Sequence, residues 1–176
     1  MTVAGLVCLA LAASACGKAT QNAQTGTPLQ RVAATADTGD SAVDPCKLLT
    51  KVEAETVLDN PGPPEAEDLG ISKQCKYSRD ADYLELSVDV LPNDKEKMDS
   101  FRAVYDPKDI TQLPGVGDVA FEFFQNPGES RYQRRSIVVL KGSTRFTLNL
   151  YRKNGEVGEA FNAKFVDIAR TIAGRL

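Results

Sequence analysis

Histidine is absent from the 176 residues, and no run of lysines or arginines occurs in them. The first absence removes the side chain that titrates nearest neutrality, the usual general base and the commonest transition-metal ligand. The second, with a net charge of −3, leaves no basic stripe to neutralise phosphates, so nucleic acid is not an expected partner. Cysteine is scarce as well. Cys8, Cys16, Cys46 and Cys75 form no C-x-x-C pair, which leaves zinc and thioredoxin-like chemistry without support. Neither S-x-x-K nor G-x-S-x-G occurs to mark an activated serine. The expected class moves from enzyme toward binding module, with no metal and no cofactor.

What is present begins with an apolar stretch from Val3 to Ala13. Eleven residues rise about 16 Å as a helix, too short for a hydrocarbon core of roughly 30 Å. The stretch reads as the hydrophobic part of a signal peptide over residues 1–15. Met1-Thr2 lacks the positive charge that usually precedes such a stretch, as expected if translation starts further upstream. Ala13-Ser14-Ala15 satisfies the small-x-small rule for ordinary cleavage. The same residues followed by Cys16-Gly17 resemble a lipobox, although Ala13 stands where leucine is usual. Ordinary cleavage would leave Cys16 as an odd exposed thiol, whereas diacylation consumes it. Two or three acyl chains suffice for stable anchoring where one is marginal. The sequence therefore predicts lipidation at Cys16 and a place on the outer face of the cell membrane.

From residue 16 to 43 the composition turns to Ala, Thr, Gln, Gly and Asp, without aromatics or a sustained apolar period. Such a segment cannot bury enough surface to offset its ordering entropy, and it reads as a disordered tether. Its root-mean-square reach is roughly 30 Å. With Cys8 removed in the leader and Cys16 acylated, Cys46 and Cys75 remain as an obvious pair for an oxidising compartment. A loop of about 29 residues makes that bridge worth roughly 3–4 kcal/mol; the alternative is two free buried thiols.

Residues 44–176 read as one domain, of a length that can bury a stable core. Pro45 is expected to interrupt regular structure. Thr50 and Glu53 have capping-box spacing, which predicts a helix from Lys51 to Leu58 with Leu48, Leu49, Val52 and Leu58 on its apolar side. Glu65–Asp68 reads as an exposed acidic loop without the oxygen spacing of a calcium site. Strands follow at Gln74–Arg79 and Tyr83–Leu91, the second alternating Leu84, Leu86, Val88 and Val90 with Glu85, Ser87 and Asp89. Asn93 and Glu96 have the spacing of a second cap, before a helix whose Met98, Phe101, Val104 and Tyr105 recur at core intervals. A strand at Val119–Gln125, a hairpin of Tyr132–Leu140 with Thr144–Tyr151, and a helix from Glu156 to the end complete the chain. The last helix carries Val157, Phe161, Phe165, Ile168, Ile172 and Leu176 as its buried stripe. The order α-β-β-α-β-β-β-α predicts an α+β fold, an antiparallel sheet of about five strands covered by three helices.

Three constellations bear on chemistry. Gly115-Val-Gly-Asp-Val-Ala120 nominally fits a dinucleotide fingerprint, but a strand follows where a helix is needed, so it reads as a turn. Asp118 and Glu122 share a strand face as candidate paired carboxylates, with no cleft legible around them and an exposed structural role as the default. Arg131, Arg134, Arg135, Lys141, Arg145, Arg152 and Lys153 concentrate on the hairpin. They form either a patch for anionic lipid or cell-wall polymer, or cationic cover for a sheet face. Phe123 and Phe124 are adjacent, so one must face away from the other. The candidate partner surface is Phe123, Phe124, Arg134, Arg135 and Arg145.

Asp44-Pro-Cys-Lys-Leu-Leu-Thr50 with Glu53, Cys75-Lys-Tyr77 and the Gly115–Phe121 turn resemble small actinobacterial lipoproteins of unknown function that open on D-P-C-x-L-L-T. The resemblance spans 44–176 and the leader. It implies an envelope location, a Cys46–Cys75 bridge and an α+β sandwich, and it brings no activity or catalytic residue. The expected function is a non-enzymatic binding or accessory module for an envelope protein or an amphiphile. The alternative is a small cell-envelope hydrolase or transferase using carboxylate and Tyr groups.

Overall fold

The computed structural model describes residues 43–125, 132–153 and 159–176. The leader, Cys16 and the tether as far as residue 42 lie outside the described residues, as do Arg131 and Val157.

Asp44 caps α1 (Pro45–Leu48) by accepting from the Cys46 N–H. Pro45 thus opens a helix rather than interrupting one; its fixed φ suits the first helical position, where an N–H would find no partner anyway. Thr50 caps α2 (Lys51–Glu55) through the reciprocal box with Glu53 that the spacing predicts. α2 stops short of Leu58. Val57 and Leu58 are buried beyond its end, while Val52 points outward at 73% exposed, contrary to its predicted apolar side.

The remaining elements are β1 (Glu65–Asp68), β2 (Ser72–Arg79), β3 (Asp82–Asp89), α3 (Lys95–Arg102), a 3-10 turn at Pro107–Asp109, β4 (Ile110–Gln112), β5 (Val119–Gln125), β6 (Tyr132–Lys141), β7 (Thr144–Lys153) and α4 (Glu159–Arg175). All seven strands join one antiparallel sheet in the order β1-β2-β3-β7-β6-β5-β4. The α+β class and the antiparallel sheet agree with expectation; the count of five strands and three helices does not. Among the described residues the sheet has seven strands and the helices number four. The additions are short. β1, expected as a loop, is wholly exposed and acidic, and its backbone pairing with β2 makes it a strand. β4 is three residues long, and α1 is a single turn. α3 is capped by Asp94, whose carboxylate accepts from the Lys97 N–H at 2.8 Å. The predicted cap, Asn93, instead donates its amide to Asp89 and to the Leu91 carbonyl.

Alternation along the strands separates two faces. The inner face carries Cys75, Tyr77, Leu84, Leu86, Val88, Ile137, Val139, Phe146, Leu148 and Leu150. It packs against Leu48, Leu49, Ala54 and Leu58 of the first helices and their turns, and against Phe165, Ile168, Ala169 and Ile172 of α4. The Cys46–Cys75 disulfide, with Cα atoms 5.1 Å apart, fixes α1 to β2 at this layer. Arg175, near the end of α4, donates to the Leu48 carbonyl and meets Glu53 Oε1 at 2.8 Å, closing the layer around the α2 cap. Among the described residues, the outer face is covered at one end alone. There Met98, Phe101 and Tyr105 pack on Phe121, Phe123, Val138 and Leu140 of β5 and β6.

Candidate functional site

Beside α3, no helix among the described residues covers the outer face of β6, β7, β3 and β2, and its floor is polar. Register decides which groups meet. Ser136 lies opposite Asn149, Asn149 opposite Glu85, Arg134 opposite Tyr151, and Tyr151 opposite Tyr83. Ser136 and Asn149 are buried. Asn149 Oδ1 accepts from Ser136 Oγ at 2.7 Å and from Arg134 Nη2 at 3.0 Å, while Asn149 Nδ2 donates to Glu85 Oε1 at 3.1 Å. One side-chain amide therefore links an arginine to a carboxylate across three strands.

Aromatic rings hold the arginine from its sides. Tyr83 and Tyr151 stack with centroids 4.2 Å apart, and the Arg134 guanidinium lies 5.3 Å from Tyr151 and 5.9 Å from Phe123. Tyr105 meets Phe123 at a tilt of 31°, with centroids 4.3 Å apart. Burial pushes the Tyr83 phenol up to about 12, aided by Tyr151 and Glu85 and opposed by Arg134. Burial likewise raises Tyr151 and Tyr105, with Arg134 pulling both back. These tyrosines stay neutral hydroxyl donors at physiological pH.

Next to this cluster lies an open cleft of about 500 Å³ between the sheet and α3. Gln74, Ser87, Thr147 and Asn149 line its floor, and Phe101, Leu91, Pro92 and Ile71 its side. Ile71 and Leu91 expose 78% and 69% of their surface, an aliphatic rim on the loops beside the sheet. Arg145 stands in the wall. It pairs with Asp89 at 2.7 Å and lies 5.0 Å from the Phe101 ring, and its Nε is buried without a hydrogen-bond partner. Glu85 and Asp89 both line the cleft, and both carboxylates are engaged, by Asn149 and by Arg145 with Asn93.

The predicted partner surface divides between the two faces. Phe123, Arg134 and Arg145 come together on the outer face, with Phe123 buried under α3. Phe124 and Arg135 face the other way, Phe124 at 42% exposed and Arg135 in an ion pair with buried Glu122. The pair Asp118 and Glu122 does not form. Glu122 is buried rather than exposed, whereas Asp118 lies at the surface. There it accepts from the Gly142 N–H at 2.7 Å and from Lys141 Nζ at 3.2 Å, pinning the β6–β7 turn, and these two donors hold its carboxyl below the usual range. Nor do the hairpin cations form one patch. Arg134 and Arg145 lie on the outer face, Arg135 and Arg152 on the inner, and Lys141, Arg145 and Arg152 each pair with an aspartate.

Sequence reasoning missed Ser136, Asn149, Glu85, Tyr83 and Tyr151 as site residues. Polar residues alternating on a strand read as solvent-facing; the signal that unites them is strand register, which appears only once the pairing is known. No family model matches this chain, and no curated protein and no solved structure matches it either.

Proposed function

We propose that this chain is a lipid-anchored extracytoplasmic protein that works by binding rather than by catalysis, and that it takes a protein partner on the bare part of its outer sheet face. The apolar leader ending at Cys16 supports the address, as does the resemblance to small lipoproteins carried by Asp44–Thr50. A Cys46–Cys75 bridge suits the oxidising side of a membrane.

The observation that carries the binding reading is the cleft with its buried polar floor. Burying Ser136 and Asn149 brings no apolar gain and is tolerable only with every bond made. Here the bonds hold an arginine and a glutamate ready at an open surface. An amphiphile would call for an enclosed apolar hollow. An open cleft with amide and hydroxyl groups below and an aliphatic rim beside resembles the mixed surface of non-obligate protein interfaces instead.

The test is photo-crosslinking in intact cells. A photoreactive residue at Ser87 or Thr147 is expected to give a discrete crosslinked species, and one at exposed Lys164 on α4 is expected to give none. Equal yields from the two faces, or none from the sheet, would overturn the reading.

A further inference from the structure

We propose that Arg134 anchors a carboxylate of the partner, an acidic side chain that enters the cleft end-on to the guanidinium. This rests on the binding reading above and specifies its chemistry. Among the described residues every other arginine forms an ion pair with Asp or Glu. Arg134 forms none, although it is half-buried and ringed by Phe123 and Tyr151. A desolvated guanidinium without a counter-charge is costly, and a fold normally supplies one.

The donors left over face one way. Nε and one Nη2 hydrogen are taken by Asn149 Oδ1, with Ser136 Oγ also near Nε at 3.0 Å. Nη1 has only Gln125 Oε1, at the 3.5 Å limit of a bond. The outer end of the guanidinium therefore keeps hydrogens on both terminal nitrogens, the fork that accepts two carboxylate oxygens side by side. Rings on its flanks and the amide behind it hold the fork in place, so little entropy is lost on binding.

Local charge favours the same ligand. Of the charged side chains lining the cleft, Asp89 is neutralised by Arg145, Glu85 accepts from Asn149, and Lys97 donates to the Pro92 carbonyl, so that three cations face two carboxylates. Arg134 is the one of these cations that stands at the floor, beside Asn149. A single fork suits a planar monoanion. A phosphate dianion would meet Glu85 in the same network, and of the two other cations lining the cleft Arg145 is taken by Asp89 and Lys97 donates to the Pro92 carbonyl. Arg145 Nε, buried without a partner in the cleft wall, is a further donor for a side chain seated there.

The experiment is nuclear magnetic resonance of the arginine Nε–Hε and asparagine side-chain signals in the full chain held in neutral detergent. Sodium acetate is titrated against sodium chloride at matched ionic strength. The expected result is a saturable acetate shift of the Arg134 and Asn149 signals, absent with chloride. In Arg134→Gln the Asn149 shift is expected to vanish; should that variant not fold, Arg134→Lys, which keeps the charge but loses the fork, is expected to bind acetate several-fold more weakly. Acetate binding unchanged in either variant overturns the proposal, as does tighter binding of inorganic phosphate than of acetate. If acetate has no effect while crosslinks from Ser87 persist, the carboxylate anchor falls and the binding face stands. If both fail, both readings fall.

Discussion

Gly117 tolerates no side chain. Its φ is +60°, and a Cβ there would come within 2.5 Å of Val139 Cγ1 and 2.7 Å of the Leu140 carbonyl oxygen. The turn that nominally fits a nucleotide motif is therefore a device for passing one backbone tightly over another, so that Asp118 can reach the β6–β7 turn. Gly117→Ala is expected to lower unfolding free energy by about 2–4 kcal/mol in a denaturant titration, through left-handed strain and a clash with backbone. Glu53 sets the acid side of stability. Burial pushes its carboxyl up, but hydrogen bonds from Arg175 and Thr50 outweigh it, and the folded pKa lies below the usual 4.5. A lowered folded pKa means stabilisation that is present above 4.5 and lost as pH falls through the folded value. Denaturation midpoints are expected to drop below pH 4.5 in the native chain and to drop less in Glu53→Gln. Tyr83 governs the opposite end. Its pKa, raised from 10.0 to about 12, gives stability that is full below pH 10 and lost as pH climbs through 12. Phenolate absorbance is expected to show a late-ionising tyrosine that Tyr83→Phe removes. At this scale the sequence announces the apolar positions well, since Leu84, Leu86 and Val88 must alternate whatever they face. It says little about Asn149, whose outward direction is legible but whose burial depends on Ser136, Arg134 and Glu85 arriving beside it from three separate segments.

Elements repeat the contrast. β3, β6, β7 and α4 carry strong periods, and their existence follows from pattern alone. β1 has no pattern to read. Glu-Ala-Glu-Asp is poor strand material, and the segment is a strand because β2 offers it a free edge and Lys76 meets Glu65 at 2.7 Å. Its negative charge then has a use: an acidic outer strand discourages a second chain from adding to the sheet. Replacing Glu65, Glu67 and Asp68 together with Thr is expected to promote self-association, visible by sedimentation velocity, while the original chain stays unassociated. The Cys46–Cys75 bridge works on the neighbouring layer, where it ties the single turn of α1 to β2 beside the buried Leu48 and Leu49. Reduction is expected to cost about 3–4 kcal/mol and to lower the calorimetric midpoint by on the order of 10 °C.

The whole molecule is expected to leave the membrane fraction as an acylated species. Its intact mass would exceed that of the polypeptide from Cys16 onward by a diacylglyceryl group, with or without a third acyl chain, and reduction would add one hydrogen pair; a bare Cys16 thiol would refute the anchor. Within the domain the sheet consists of two meanders, β1-β2-β3 and β4-β5-β6-β7, which meet where β3 lies against β7. Each meander is built from neighbours in sequence; the seam alone joins residues from Tyr83–Val88 to residues from Phe146–Tyr151. The segment that carries α3 runs between the halves, and a break after Val104 would leave the disulfide wholly in the first piece and the β6–β7 hairpin wholly in the second. Two fragments severed there would each keep a ready-made zipper edge, so the polypeptide is a natural candidate for splitting into halves that re-knit on mixing and rebuild the Arg134 floor only when they do.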